Sequence, residues 1–223
     1  MQRVYLPLEN EQFSPGLLGW IDLLHTLGPL RLTASVSAGL AEKESLCRCA
    51  VRKLERFCVE KDIRLAVNSE PPADPDLVLL EGAGCVEDRP GPVLSLRGTP
   101  FLPGELILLY DGSPASREAI ERFGTLFPSF GSIPATLVYF NNDPAAPIPD
   151  EWAMRIMGAR LFRRFRVVKM APRTRAFYEA WLGMMSNPWI VVGASQRDEL
   201  ADSMHSAIAA ELVSIREMPA FAA

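Results

Sequence analysis

Residues 105–116 read ELILLYDGSPAS. The run Leu106 to Tyr110 is apolar without alternation, which suits a central parallel strand covered by helices on both faces rather than a strand with one wet side. Asp111 and Gly112 follow as a sharp turn. Ser113 is placed to cap a helix, and Pro114 to fill its first turn, where a missing N–H costs nothing. A strand that runs straight into a capped helix is the start of a βαβ unit. In open α/β sheets ligands bind outside the carboxyl ends of the strands, so Asp111 is either an acid that reads a ligand or a turn residue.

Outward from this stretch the same signals alternate in both directions. Toward the C-terminus, a helix is expected from 114 to about 127, with Ala119, Ile120, Phe123 and Leu126 at helical spacing. A strand at 135–140, a helix at 151–161, a strand at 164–170, a helix at 173–186 and a strand at 187–195 come next. A helix at 201–215 and a short strand in 218–223 close the series. Toward the N-terminus, strands are expected at 3–9, 30–38, 63–70, 76–82 and 92–98. Helices run from Ser14-Pro15 to Gly28 and from about Leu40 to Lys61. Between the third and fourth of these strands stands only PPADP, too short for a crossover helix.

The two halves repeat. RVYLPLEN aligns with ELILLYDG, which sets Glu9 opposite Asp111, and DLVLLEGAG aligns with WIVVGAS. The expected architecture is therefore α/β, with two doubly wound parallel-sheet, Rossmann-like domains in tandem. They divide as 1–99, shortened, and 100–223, joined by the turn-rich GTPFLPG. A phospho-receiver domain shares the strand count. However, it needs an Asp after its third strand, where AVNSEPP and VVKMAPR offer none.

With 223 residues, 48% hydrophobic and 22% charged, the chain has the composition of a soluble protein with a core. A net charge of −4 argues against general affinity for nucleic acid or anionic membrane. No apolar run reaches the roughly 18 residues of a membrane span, and MQRVYLPLENEQ lacks the uninterrupted apolar core of a secretory signal. A cytoplasmic location is the expectation. Cys47 and Cys58 share a helix stripe with Val51 and Leu54, whereas Cys49 faces elsewhere. With Cys85 these read as free thiols, since the two histidines, His25 and His205, are not spaced as metal partners.

ILLYDGSPASREAIERFGTLF resembles the first strand and helix of universal stress protein domains, and WIVVGASQRDELADSMHSAIAAELV resembles their fourth strand, glycine loop and last helix. The likeness spans most of 105–223 and is thinner over 1–98. It implies the universal-stress-type fold in tandem. It also implies a nucleotide cleft in which Asp111, Gly112, Gly193, Ser195 and Ser206 would hold ATP. In the family's ATP binders the loop reads Gly, two residues, Gly, nine residues, Gly, then Ser or Thr, so that bare backbone N–H groups reach the phosphates. Here Gly193 is followed at those positions by Gln196, Ser206 and Ala207, and Asp198, Glu199 and Asp202 outnumber Arg197. The expectation is a degenerate site, with no cofactor and no catalytic residues, and a non-enzymatic stress-response role through protein or small-molecule binding. ATP binding with weak ATPase activity is the alternative. The segments PVLSLRG and MPAFAA are expected to let the two domains pair within the chain, as separate members pair in homodimers.

Elsewhere the pattern supports bland readings. The basic run ARLFRRFRVVK reads as a solvated helix end and strand start, and Phe177, Trp181, Met184 and Met185 as core or interface. There is no GxSxG elbow, Walker loop or GxGxxG.

Overall fold

The computed structural model describes residues 1–8, 15–36, 44–81, 91–193, 208, 211–212 and 218–223. It divides into two compact units, Met1–Phe101 and Leu102–Ala223. Every strand pairing within them is parallel. Helices alternate with the strands, the architecture that the unbroken apolar strands predict.

The second unit contains β6 (Glu105–Tyr110), α3 (Pro114–Leu126), a 3-10 turn (Pro128–Ser132), β7 (Ala135–Phe140), α4 (Glu151–Leu161), β8 (Phe165–Met170), α5 (Arg175–Gly183), β9 (Pro188–Val192) and β10 (Ala220–Ala222). Its strand order is β10-β9-β6-β7-β8. The order reverses between β6 and β9, which places the ligand crevice of this fold type at their carboxyl ends. The sheet buries both faces with a period of two. On one face Ile107, Leu109, Val138, Phe140 and Ile190 join Tyr178 and Leu182 of α5, together with Ile208, Leu212 and Met218. On the other, Phe123 of α3 packs against Phe127, Phe130 and Phe221, and Phe130 meets the Trp189 ring edge-on.

The α5 face differs from the expected set. Its core residues are Tyr178, Leu182 and Met185, while Met184 is 79% exposed and Phe177 39% exposed. The helix ends at Gly183, so Met184 no longer lies on the buried stripe. The 3-10 turn at Pro128–Ser132 was not expected; Pro128 opens it and Phe130 anchors it in the aromatic cluster.

The first unit contains β1 (Gln2–Leu8), α1 (Pro15–Leu27), β2 (Leu30–Val36), α2 (Glu44–Glu60), β3 (Arg64–Asn68), β4 (Leu77–Glu81) and β5 (Val93–Leu96), in the order β3-β2-β1-β4-β5. On α2, Leu54 and Cys58 are buried and Cys49 is exposed, as the stripe predicts. Burial pushes the Cys58 thiol up to about 11. Residues 69–76 form no helix and cross from β3 to β4 directly. Their far end is fixed by Arg3. Its guanidinium bonds Asp76 at 2.8 Å and Asp74 at 3.3 Å, and its backbone N–H donates to Asp76 at 2.7 Å. The Arg3 guanidinium holds the Asp76 carboxyl below its ordinary range.

Candidate functional site

The site grows from the end of β6. Asp111 and Ser113 are half-buried, and the Asp111 side chain accepts the Ser113 N–H at 2.8 Å. Gly112 between them has φ +90, a conformation open to glycine and strained for other residues. Ser113 then caps α3, its hydroxyl accepting from the Ser116 N–H at 3.1 Å, and its carbonyl accepts from Arg117 N–H at 3.3 Å. Pro114 has no N–H to offer. The start of α3 is thus largely satisfied from within.

Gly193, at the end of β9, is buried against that same first turn. A Cβ there would stand 2.7 Å from Ser116 N and 3.0 Å from Ala115 C. The face that a side chain would occupy is filled by backbone. Gly193 is required for this close approach, whatever else it does. The structure thus brings Asp111, Gly112 and Gly193 around the first turn of α3, whereas Ser195 and Ser206 lie outside the described residues, as do Gln196, Arg197, Asp198, Glu199, Asp202 and Ala207 of the same loop. The corresponding positions of the first half, Glu9 and 82–90, lie outside them too.

One contributor escaped the sequence reading. The loop 141–150 leans over Gly112, where a Cβ would meet Pro149 Cγ at 2.8 Å. The loop is built from its own side chains. Asn141 accepts from Asp143 N–H and Asp143 from Ala145 N–H, each at 2.8 Å. Lys169 of β8 donates to the Pro144 carbonyl at 3.0 Å and also to that of Ala146. The signal was present in the Asn, Asp and Pro content of NNDPAAPIPD, which favours self-bonded turns. Its landing point on Gly112 was not legible, because that contact is tertiary. Asp150, at the loop's end, has φ 46. Burial pushes the Tyr110 phenol up. Asp150 and, more weakly, Asp111 act in the same direction, and Arg117 opposes them. The neighbourhood is thus acidic on balance. Asn141 donates to the Tyr139 hydroxyl at 3.1 Å, and the Tyr139 ring lies 6.4 Å from that of Tyr110.

Three arginines of the basic run have local hydrogen-bond or ion-pair partners. Arg160 pairs with Glu121 at 2.8 Å, Arg164 donates to the Ser132 carbonyl at 3.3 Å, and Arg166 donates to the Thr136 hydroxyl at 2.7 Å. Among the described residues there is no group of three or more His, Cys, Asp or Glu placed to hold a metal ion, and no helix long and apolar enough to cross a membrane.

The fold defines a class, the doubly wound parallel α/β proteins with a crevice between the first and fourth strands of the unit. Within that class the chain superposes on solved universal stress proteins. One is a universal stress protein from Archaeoglobus fulgidus DSM 4304, at TM-score 0.73 and 10% identity, covering 99% of this chain and 95% of that one. Another is a putative universal stress protein from Pseudomonas aeruginosa UCBPP-PA14, at TM-score 0.58 and 12% identity, covering 99% and 92%. No family model matches the sequence, and no curated protein matches it. At such identities the likeness is one of fold.

Proposed function

We propose that the chain is a tandem universal-stress-type protein that acts by binding, without catalysis, through a cleft no longer built for ATP. The observation that carries this reading is Gly193. A Cβ on it would stand 2.7 Å from the Ser116 N, so the surviving glycine of the degenerate motif has a packing role that needs no phosphate. Beside it, the Ser113 and Ser116 N–H groups are held by the Asp111 and Ser113 side chains. In the loop sequence Asp198, Glu199 and Asp202 stand against Arg197 alone, leaving two surplus negative charges of the wrong sign for a triphosphate.

The alternative, an ATP-binding protein with weak ATPase activity, draws on Asp111, which stands half-buried at the point where the strand order reverses. Thermal unfolding with and without ATP and Mg²⁺ separates the two. The expected result is an unchanged Tm. A ligand at about 100 times its Kd would add about 2.7 kcal/mol. An upward shift that disappears in Asp111→Ala would establish the alternative.

A further inference from the structure

We propose that the open edge of β8 receives an acidic, extended segment of another protein as an added parallel or antiparallel strand. β8 ends the strand order of its unit, and all six of its residues keep some solvent exposure. Its backbone phase can be read from two bonds. The carbonyls of Arg164 and Met170 accept from Ala135 and Asn141, on the β7 side. Since a residue's N–H and C=O share one side of a strand, 166 and 168 also turn toward β7. Phe165, Val167 and Lys169 then present their backbone groups outward.

The edge also carries charge. Arg163, Arg164, Arg166 and Lys169 lie along it, and none of them pairs with a carboxylate among the described residues. Where Arg164, Arg166 and Lys169 have partners, these are carbonyl or hydroxyl oxygens. Neutral acceptors leave the positive charges uncompensated. The same bonds draw the side chains inward. Arg166 lies over Thr136 on β7, and Lys169 folds toward the loop 141–150. A strand guarded against pairing holds its cations in the lane a neighbour would use. Here two of them are tied back from that lane, which no described strand occupies, inside a positive field.

The field selects the occupant. A second copy pairing through β8 itself would bring Arg166 and Lys169 against the same residues. Like charges set opposite one another across strands oppose pairing. A segment that alternates acids with small apolar residues would meet the cations with one set of side chains. Its acids would lie beside Arg164 and Arg166 on one face, and its apolar residues beside Phe165 and Val167 on the other.

The test uses the full chain and a fluorescein-labelled decapeptide of alternating Glu and Val. Its controls are the same peptide with every Val replaced by Pro, and a single-stranded oligothymidylate of equal charge. Anisotropy is expected to show the Glu–Val peptide binding at least tenfold tighter than either control. Hydrogen exchange should slow at the amides of Phe165, Val167 and Lys169. Arg164→Glu with Arg166→Glu, checked for native circular dichroism, should weaken binding at least tenfold. Equal binding of the Pro peptide or the oligothymidylate would make the edge a general polyanion surface and overturn the proposal. Absence of peptide binding, or binding that leaves the three amides unprotected, would overturn it as well.

Discussion

Adding one methyl at Gly193 would drive a carbon into the backbone of α3 at Ser116, and backbone at a helix start cannot step aside as a side-chain tip can. Gly193→Ala is therefore expected to cost roughly 1–3 kcal/mol of stability, in the range of overpacked sites. Urea unfolding without nucleotide would measure it. A variant as stable as the parent would remove the packing explanation for this glycine. Cys58 supplies a pH signature. Its folded thiol is pushed up to about 11 from an ordinary value of 9.0, so between those values the unfolded chain loses the proton first. The folded state then binds more protons, and stability falls as pH rises through that window. Comparing the parent with Cys58→Ala by urea unfolding from pH 8 to 11 should show a steeper decline in the parent. Parallel slopes would contradict the burial. At this scale the sequence was most informative where chemistry is local, as in the Asp111-Gly112-Ser113 turn. It was silent on Pro149 over Gly112, since no spacing rule connects positions so far apart in the chain.

The packing of α4 on β8 depends on another glycine. At Gly158 an added Cβ would lie 2.2 Å from the tip of the Phe165 ring, and that ring is stacked near Phe162. Alanine favours the helix intrinsically by about 1 kcal/mol over glycine, so the displaced ring must outweigh that gain for the variant to be destabilised. Gly158→Ala is expected to lose about 1–3 kcal/mol net, and Gly158→Ala with Phe165→Leu to regain part of it. A double-mutant cycle by chemical denaturation reads the coupling. Additive costs would mean that the two residues do not press on each other. Elements were largely legible because their signals are periodic. Strands at 105–110 and 135–140 and the helix at 151–161 have the expected bounds. The 3-10 turn and the early stop of α5 were not legible, because Phe130 and Met185 are held by neighbours from other elements.

Across the whole chain each unit buries a core of its own. The second buries a large cluster under α5 and a ring of phenylalanines around Trp189. In the first, Tyr5, Val78, Leu80 and Val93 form one buried cluster, Trp20, Ile21, Leu32, Leu54 and Leu94 are also buried, and β3 is half-exposed throughout or more so. Each unit carries one fully buried tryptophan, Trp20 or Trp189. Variants that keep only one of these should report different urea midpoints, with the Trp20 signal moving first. Coincident midpoints would show the units unfolding as one. The direct crossing from β3 to β4 has a geometric corollary. Three strand spacings and the return along a five-residue strand make a diagonal of about 22 Å. Nine steps through a proline-rich segment reach about 28 Å. The slack amounts to roughly two residues, and the Arg3 clamp on Asp74 and Asp76 draws on it. Residues 69–76, bent at 69–70, 73–74 and 76, therefore behave as a tether with little spare length. The first unit can absorb an insertion there, but trimming the tether would pull β3 off its neighbour.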